Sequence, residues 1–116
     1  MVLRSKGKGI LGVAITCQAP DDDHNDFYSR FFGPWIGIDE DHVTGSSHAC
    51  LGPYWLQRLS LSKYGSETRP MRACQCSARR GLLGMRVVRG SNGRRDEVIL
   101  SGQAVVVIRG EIAFSV

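Results

Sequence analysis

One stretch of the chain, residues 44–60, has the length and apolar content of a helix, and it limits the fold more than any other feature. Thr44 is a suitable N-cap residue there, and residues 49–59 are apolar on nearly every side. Pro53 is an irregularity, since proline removes one hydrogen bond inside a helix. A helix that is apolar all round is buried on most sides. In a chain of 116 residues, which is the size of one domain, a sheet must therefore surround it.

The sequence on either side of this helix is typical of strands and turns. β-branched and apolar residues predict about six short strands, mostly joined by hairpin-length connections. The segments with this character are 9–19, 26–38 with a break at Gly33-Pro34, 70–78, 82–89, 97–102 continuing as 104–109 after a bulge or break at Gly102, and 112–116. Residues 39–43 and 61–70 are predicted connections, and Asn92-Gly93 favours a tight hairpin turn. We therefore predict an α+β fold, in which an antiparallel sheet wraps like a barrel around one central helix.

The net charge of the chain is +4, and its basic residues are scattered. Some of them form a basic tail at residues 1–8, ahead of the domain that we predict over residues 9–116. Most aromatic residues lie at 27–35 and 54–64, mostly away from the arginines. A nucleic-acid interface needs basic residues gathered on one surface among aromatics, so we predict no nucleic-acid partner. No apolar run approaches the roughly 18 residues of a membrane span, so we predict no membrane partner either.

The four cysteines are Cys17, Cys50, Cys74 and Cys76. The Cys74-x-Cys76 spacing is tighter than the usual zinc pair, and no second pair completes a site, so we predict no metal. On a strand, residues two apart share a face, so both cysteines of this pair fit as small core residues. We interpret the cysteines as free buried thiols, with a disulfide as the alternative, and expect a cytoplasmic protein.

Acidic and small polar residues meet at the start of the predicted helix. Glu40 and Asp41 precede a helix N-terminus, whose free N–H groups carry partial positive charge. Next come Gly45, Ser46 and Ser47, where glycine permits close approach and successive N–H groups bind carboxylate or phosphate. Two interpretations fit these residues: an ordinary capped helix start, or half of a site that binds an anion and moves a proton.

His48, one turn further along, fits a packed or capping histidine, with a proton shuttle as the alternative.

The same region carries a long ordered series of residues that resembles the signature of one family. The series reads Asp26-Phe27-x-Ser29-Arg30-Phe31-Phe32-x-Pro34-x-x-Gly37-Ile38-x-Glu40-Asp41-x-Val43-Thr44-Gly45-Ser46-x-His48. Further matches are Pro53-Tyr54-Trp55, Gln75-x-Ser77-x-Arg79-Arg80-Gly81 and Leu100-Ser101-Gly102-Gln103-Ala104-Val105. By these residues the chain resembles the PhzF-like family of phenazine biosynthesis proteins from about residue 9 to residue 114.

The resemblance implies the fold of diaminopimelate epimerase, in which two similar domains each wrap an antiparallel sheet around a helix. It also implies isomerase activity that relocates a proton on a small substrate, without metal or organic cofactor. Asp41 would then be the acid that assists proton transfer or orients the substrate. Gly45 and Ser46, with Thr44, would bind the substrate carboxylate at the helix start. Glu40 and His48 would be accessory residues.

This chain departs from the family pattern in two respects. His42 stands where the family commonly has proline after its Glu-Asp pair. More importantly, residues 9–116 match only the family's second domain, whereas its principal catalytic glutamate and its glycine-histidine loop belong to the first. Ser66-Glu67-Thr68 is similar to the motif around that glutamate, but it lies in a connection after the helix, so no role is transferred to it.

We therefore expect a truncated product or a single-domain variant of the family. As an enzyme it would need a complementary domain or a second copy of itself to complete the site, with a small carboxylate-bearing molecule as substrate. The alternative is a catalytically inactive protein that keeps the fold for an interaction or structural role. That alternative draws on the unmatched first domain and on the apolar surface that a lost partner would expose.

Overall fold

The computed structural model describes residues 9–59, 70–94 and 96–115, which form one α-helix, a short 3-10 turn and six strands. In chain order these are β1 (Val13–Gln18), β2 (Phe27–Gly33), the 3-10 turn (Pro34–Ile36), β3 (Ile38–Asp41), α1 (Gly45–Arg58), β4 (Met71–Gln75), β5 (Gly81–Val88) and β6 (Glu97–Ser101). The α+β class is therefore confirmed. The predicted basic tail, and the predicted connection except for Pro70, lie outside the described residues.

The strands form one sheet in the order β1-β2-β4-β5-β6, and β3 also pairs with β2. Every pairing is antiparallel except that of β2 with β4, which is parallel because the connection through α1 carries the chain back across the sheet. The expectation of a purely antiparallel sheet is wrong for this pair. The barrel-like wrap is not confirmed either, because the sheet formed by the described residues stays open, with β1 and β6 at its edges.

Helix α1 packs one face onto this sheet. Its buried residues are His48, Leu51, Gly52 and Trp55, which recur at the three- and four-residue spacing of a single helical stripe. Trp55 stacks on Phe27 of β2, with 5.5 Å between the ring centroids. The core continues through residues of β4 and β5 and the end of the helix, namely Leu59, Met71, Ala73 and Met85.

The prediction that the helix would be buried on most sides is wrong. Ala49, Cys50 and Tyr54 are exposed, because an open sheet covers only one side of α1. Thr44 occupies the N-cap position as expected, and the helix continues through Pro53. Within the described ranges, no helix is long and apolar enough to cross a membrane.

Two predictions for the end of the chain are also wrong. Residues 102–115, predicted to contain strands at 104–109 and 112–116, are not assigned to any strand. Their apolar side chains point into solvent: Val105, Val106, Val107, Ile108, Ile112 and Phe114 are each at least 74% exposed. This segment has the β-branched composition of a strand, but no strand in the described part of the chain pairs with it.

The acidic segment that we predicted as a loop over residues 39–43 instead begins as strand β3, which extends to Asp41. The four thiols are free, as interpreted, but only Cys74 is buried. Cys17 and Cys50 are exposed, because they lie on the outer face of an edge strand and on the solvent side of α1 respectively.

Candidate functional site

The ends of β3 and β4 meet along one edge of β2. Strand β4 pairs with the first half of β2, where Gln75 lies opposite Ser29. Strand β3 pairs with the second half, where Asp41 lies opposite Phe31. The sheet topology therefore brings Asp41 and Gln75 together, although 34 residues separate them in sequence.

A closed set of hydrogen bonds joins Asp41, Thr44 and Gln75. The Thr44 hydroxyl donates to Asp41 Oδ2 at 2.6 Å and accepts from Gln75 Nε2 at 3.1 Å. Gln75 Nε2 also donates to the backbone carbonyl of Asp41 at 2.8 Å. The Thr44 N–H donates to Gln75 Oε1 at 2.7 Å, so the side-chain amide of Gln75 binds both ends of the Asp41–Thr44 segment. Gln75 is fully buried, which makes these bonds strong relative to exposed ones.

The helix start itself is left without a side-chain cap. Thr44 has the extended backbone of an N-cap residue, but its hydroxyl bonds to Asp41 instead of to the N–H groups of the first turn. The first N–H groups of an α-helix have no acceptor within the helix. The N–H groups of Gly45 and Ser46 at the start of α1 therefore remain donors for a bound anion, and the Ser46 side chain is exposed to solvent.

A cavity of about 590 Å³ opens beside this helix start. Its lining residues are Val43, Gly45, Arg80, Gly81, Leu82, Leu83, Leu100, Ser101, Gly102 and Gln103. Arg80 is the cationic group among them, and the backbone N–H groups near Gly45 add partial positive charge. The cavity therefore combines an apolar wall with a positive end, an arrangement that suits a small molecule with an anionic group.

Ser77 ties Arg80 to the loop that carries Asp41. The Ser77 hydroxyl donates to the His42 carbonyl at 2.8 Å and accepts from the Arg80 N–H at 3.1 Å. Arg80 itself has a left-handed backbone, with φ of 54°, which turns the chain into β5. The position of the Arg80 backbone is thus fixed by the same loop that positions Asp41.

Glu40 faces away from this group. It makes a two-pronged ion pair with Arg30 of β2, with distances of 2.7 and 2.9 Å between the paired atoms. This hydrogen bonding with Arg30 lowers the pKa of Glu40. Neighbouring residues of a strand point to opposite faces, which explains why Glu40 and Asp41 have different partners.

His48 is fully buried, and both of its ring nitrogens have partners. Nδ1 lies 2.8 Å from the carbonyl of Thr44, which can only accept, so Nδ1 carries the proton. Burial lowers the pKa of His48, so the ring is neutral near pH 7 and Nε2 accepts from the Ser29 hydroxyl at 3.1 Å. The ring also stacks on Phe27. This placement agrees with a packed histidine that holds the helix start.

The structure thus brings Asp41, Thr44 and Gly45 together and separates Glu40 from them. Of the predicted site residues only Gly45 lines the cavity, together with Val43. Asp41, Thr44 and Ser46 do not line it, although they lie within two residues of Val43 or Gly45 in sequence. No role was assigned to Gln75 or Arg80 from the sequence. In the structure Gln75 holds the Asp41–Thr44 segment by hydrogen bonds, and Arg80 lines the adjoining cavity. For Gln75 a signal existed, since it shares the strand face of buried Met71 and Ala73 and is polar there.

Among the described residues, no group of three or more His, Cys, Asp or Glu side chains is placed to bind a metal ion.

Residues 4–110 match the sequence profile of the PhzC-PhzF family, described as phenazine biosynthesis-like protein. An uncharacterized isomerase of Halalkalibacterium halodurans is 39% identical over 101 residues, which is 87% of this chain and 33% of that protein. The phenazine biosynthesis-like domain-containing protein of Homo sapiens is 45% identical over 87 residues, 75% of this chain and 26% of its own length.

Solved structures agree with these relatives. A phenazine biosynthesis protein of the PhzF family from Enterococcus faecalis superimposes with a TM-score of 0.60 at 35% identity, covering 79% of this chain and 30% of that one. A PhzC/PhzF protein from Clostridium difficile gives 0.57 at 36% identity, covering 91% and 37% respectively. The chain therefore spans about one third of the length of the curated relatives that it matches.

Proposed function

This chain belongs to the PhzC-PhzF family of phenazine biosynthesis-like proteins, and we propose that it supplies half of an isomerase-type active site. In this proposal the site moves a proton on a small carboxylate-bearing substrate without a cofactor. Asp41 is the acid/base or orienting group, and Gly45 and Ser46 bind the substrate carboxylate. Thr44, predicted from the sequence to bind it too, instead holds the helix start in place, because its N–H donates to Gln75 and its hydroxyl to Asp41. Relatives from two bacterial species are named isomerases, which supports this kind of reaction.

The observation that carries the proposal is the position of Asp41 beside an uncapped helix start. Thr44 occupies Asp41 Oδ2 and, in doing so, withholds its hydroxyl from the N–H groups of α1. Those N–H groups are therefore left to bind a carboxylate, close to a carboxyl side chain that can exchange a proton with the bound substrate. Arg80, in the adjoining cavity, adds positive charge that favours an anionic ligand.

A second catalytic group is needed opposite Asp41. General acid/base catalysis contributes about 10²–10⁴-fold to a rate, and only when the groups are positioned around the substrate. Asp41 is only half-buried, so something must cover it to exclude water during proton transfer. We propose that a complementary PhzF-like domain or a second copy of this chain provides both the cover and the second group.

Solvent deuterium exchange tests the catalytic role. Small 2-amino and hydroxyanthranilate-type carboxylates are incubated in deuterium oxide with the chain in a completed site, either as a dimer or with the first domain of a full-length relative added, and proton loss at carbon is followed by NMR. Exchange is expected with wild type and is expected to fall by at least about tenfold in Asp41→Asn. Asp39→Asn, an exposed acid on the same strand, is the matched control and is expected to retain exchange. Equal exchange in wild type and Asp41→Asn removes Asp41 from the mechanism.

Light scattering tests the requirement for a second copy. A dimer at micromolar concentration supports completion of the site by a second copy. A monomer counts against that route, and the complementary domain then becomes the partner to test, by adding the first domain of a full-length relative and measuring whether exchange appears.

One observation favours the alternative of a non-catalytic interaction protein. The apolar side chains of residues 105–114 are almost fully exposed, and a strand-forming apolar segment without a neighbour is a surface for another chain. If no carboxylate exchanges with any partner present, while a truncation before residue 104 abolishes complex formation, the interaction role is the better explanation.

A further inference from the structure

Two cysteine sulfurs lie close together at the end of β4. Cys74 Sγ and Cys76 Sγ are 4.0 Å apart, and Cys76 Sγ also lies 3.7 Å from the Cys74 carbonyl. A disulfide requires a separation of about 2.05 Å. Cys74 lies in β4, and Cys76 is the first residue after the strand ends at Gln75, where its N–H still bonds to the Ser29 carbonyl of β2 at 2.7 Å.

The two thiols differ in access. Cys76 is partly exposed, whereas Cys74 is 5% exposed. Interactions with Cys76, and then with Cys74, raise the pKa of Arg80. A guanidinium at this position stabilises a thiolate, which is the reactive form of cysteine. Burial nevertheless raises the pKa of Cys74, so the more accessible Cys76 is the thiol that meets a reagent first.

The residue between the two cysteines is Gln75, whose side chain holds the candidate site. Its amide accepts from the Thr44 N–H at 2.7 Å and donates to the Asp41 carbonyl at 2.8 Å. Joining the sulfurs on either side of Gln75 closes a small ring through its backbone. The ring bends the end of β4 and displaces the base of the Gln75 side chain, so its bonds to Asp41 and Thr44 lengthen.

We propose that Cys74 and Cys76 form a reversible dithiol–disulfide site that low-molecular-weight disulfides oxidise, and that Gln75 transmits its state to the Asp41–Thr44 segment. The consequence for catalysis rests on the proposed function, because it assumes that this segment binds substrate. The redox site itself does not depend on catalysis.

The chemistry is two successive thiol–disulfide exchanges. The Cys76 thiolate attacks one sulfur of the small disulfide, forms a mixed disulfide and releases the first small thiolate. The Cys74 thiolate then attacks the Cys76 sulfur, forms the Cys74–Cys76 bond and releases the second small thiolate. Both released thiolates take up the protons that the two cysteines lost, so the protein is oxidised by two electrons and the small disulfide is reduced by two.

Mass spectrometry tests the disulfide. A Cys17→Ser/Cys50→Ser variant of the full chain removes the two exposed thiols and keeps the pair under test. After incubation with oxidised glutathione, its mass is expected to fall by two hydrogen atoms and to return on addition of a reductant. The same treatment of a further Cys74→Ser variant is expected to leave a glutathione adduct on Cys76. A stable glutathione adduct in the variant that keeps both cysteines would overturn the redox site.

Amide hydrogen exchange tests the transmission to Thr44. Oxidation is expected to speed exchange of the Thr44 N–H by about tenfold, as loss of one buried hydrogen bond would. The Arg94 N–H, which bonds to Ser91 in a distant turn, is the internal control and is expected to keep its rate. If the disulfide forms and the Thr44 rate is unchanged, the link through Gln75 is wrong. Neither measurement needs substrate turnover, so failure here is distinct from failure of the proposed isomerase activity.

Discussion

The backbone N–H of Thr44 donates a hydrogen bond to the side-chain Oε1 of Gln75, with 2.7 Å between the two atoms. Thr44 is the last residue before α1, and Gln75 is the last residue of β4. This bond therefore attaches the start of the only helix in the described residues to the end of a central strand. It is buried, so its loss leaves a donor with no access to water.

Gln75→Ala is expected to lower the free energy of unfolding by about 2–4 kcal/mol, because it leaves the buried Thr44 N–H unpaired and removes the hydrogen bond to the half-buried Asp41 carbonyl. Urea denaturation measures this change. Gln57→Ala, at an exposed position on α1, is the control and should change stability by no more than about 0.5 kcal/mol. Equal effects of the two substitutions would show that the buried bonds contribute nothing.

Sequence patterns correctly predicted the features that depend on neighbouring residues, such as turns and helix caps. Asn92 and Gly93 both have positive φ, 56° and 79°, as the Asn-Gly signal for a tight turn requires. The hairpin itself is not tight, because the pairing of β5 with β6 ends at Val88 and Glu97. Thr44 precedes the helix by the same logic, since N-cap preferences act within one turn. Asp41 was singled out over Glu40 through the family resemblance, and the different directions of the two side chains give that choice a physical reason.

Features that depend on distant partners were not predictable. Residues 104–114 have strand composition, but β propensity describes a side chain that fits a sheet and does not supply a neighbouring strand. The polar character of Gln75 on a buried strand face is a local signal, but its partners lie 31 and 34 residues away and no local pattern identifies them. The prediction that α1 is buried on most sides was wrong for the same reason, because burial of the helix depends on whether the sheet closes around it.

His48 makes stability depend on pH. Burial lowers its pKa in the folded protein below the ordinary value of 6.5, so the unfolded chain binds the proton more readily than the folded one. The contribution of neutral, buried His48 to the free energy of unfolding is complete above pH 6.5. It is lost as the pH falls from there towards the pKa of His48 in the folded protein. Wild type is therefore expected to unfold at lower urea concentration at pH 5.5 than at pH 7.5.

A His48→Gln variant, compared at the same two values of pH, identifies the group responsible. It is expected to be less stable than wild type at pH 7.5 and to lose most of the difference between the two pH values. His42→Gln, at an exposed position, is the control and should keep the wild-type difference. An undiminished pH effect in His48→Gln would assign the titration to another group.

Glu40 and Asp41 are expected to behave differently although they are adjacent. Glu40 pairs with Arg30 at the surface, and exposed ion pairs contribute little to stability at physiological salt. Glu40→Gln should therefore leave both the urea midpoint and the deuterium exchange of a responsive carboxylate unchanged within error. If Glu40→Gln lost as much exchange as Asp41→Asn, proton transfer would depend on Glu40 and Asp41 together.

Ser47→Ala is expected to stabilise the protein. The Ser47 hydroxyl oxygen is buried and finds no hydrogen-bond partner in the part of the chain that the structure describes. Alanine removes this unpaired group and is the better helix former, so the free energy of unfolding should rise by about 0.5–1.5 kcal/mol. Ser46→Ala, at the exposed neighbouring position, is the control, and its free energy of unfolding should rise only by the difference in helix propensity between serine and alanine. A gain at Ser46 equal to that at Ser47 would mean that the buried hydroxyl costs nothing.

The contact between Gly81 and Val43 gives the sharpest test of how the loop before α1 is seated. A Cβ added at Gly81 would overlap Val43 Cγ2, and both residues line the cavity. Gly81→Ala is therefore expected to lower stability by about 1–3 kcal/mol. Gly110→Ala, where the added Cβ meets open space, is the control and should be close to neutral.

Val43→Ala in the Gly81→Ala background should restore much of the loss, because it removes the methyl carbons that the new Cβ would strike. The double-mutant cycle measures this directly, and residues in contact typically show a coupling of about 0.5–3 kcal/mol. A coupling near zero would mean that Val43 does not lie against Gly81 in solution. The loop that carries Asp41 would then be positioned by the Gln75 and Ser77 hydrogen bonds alone.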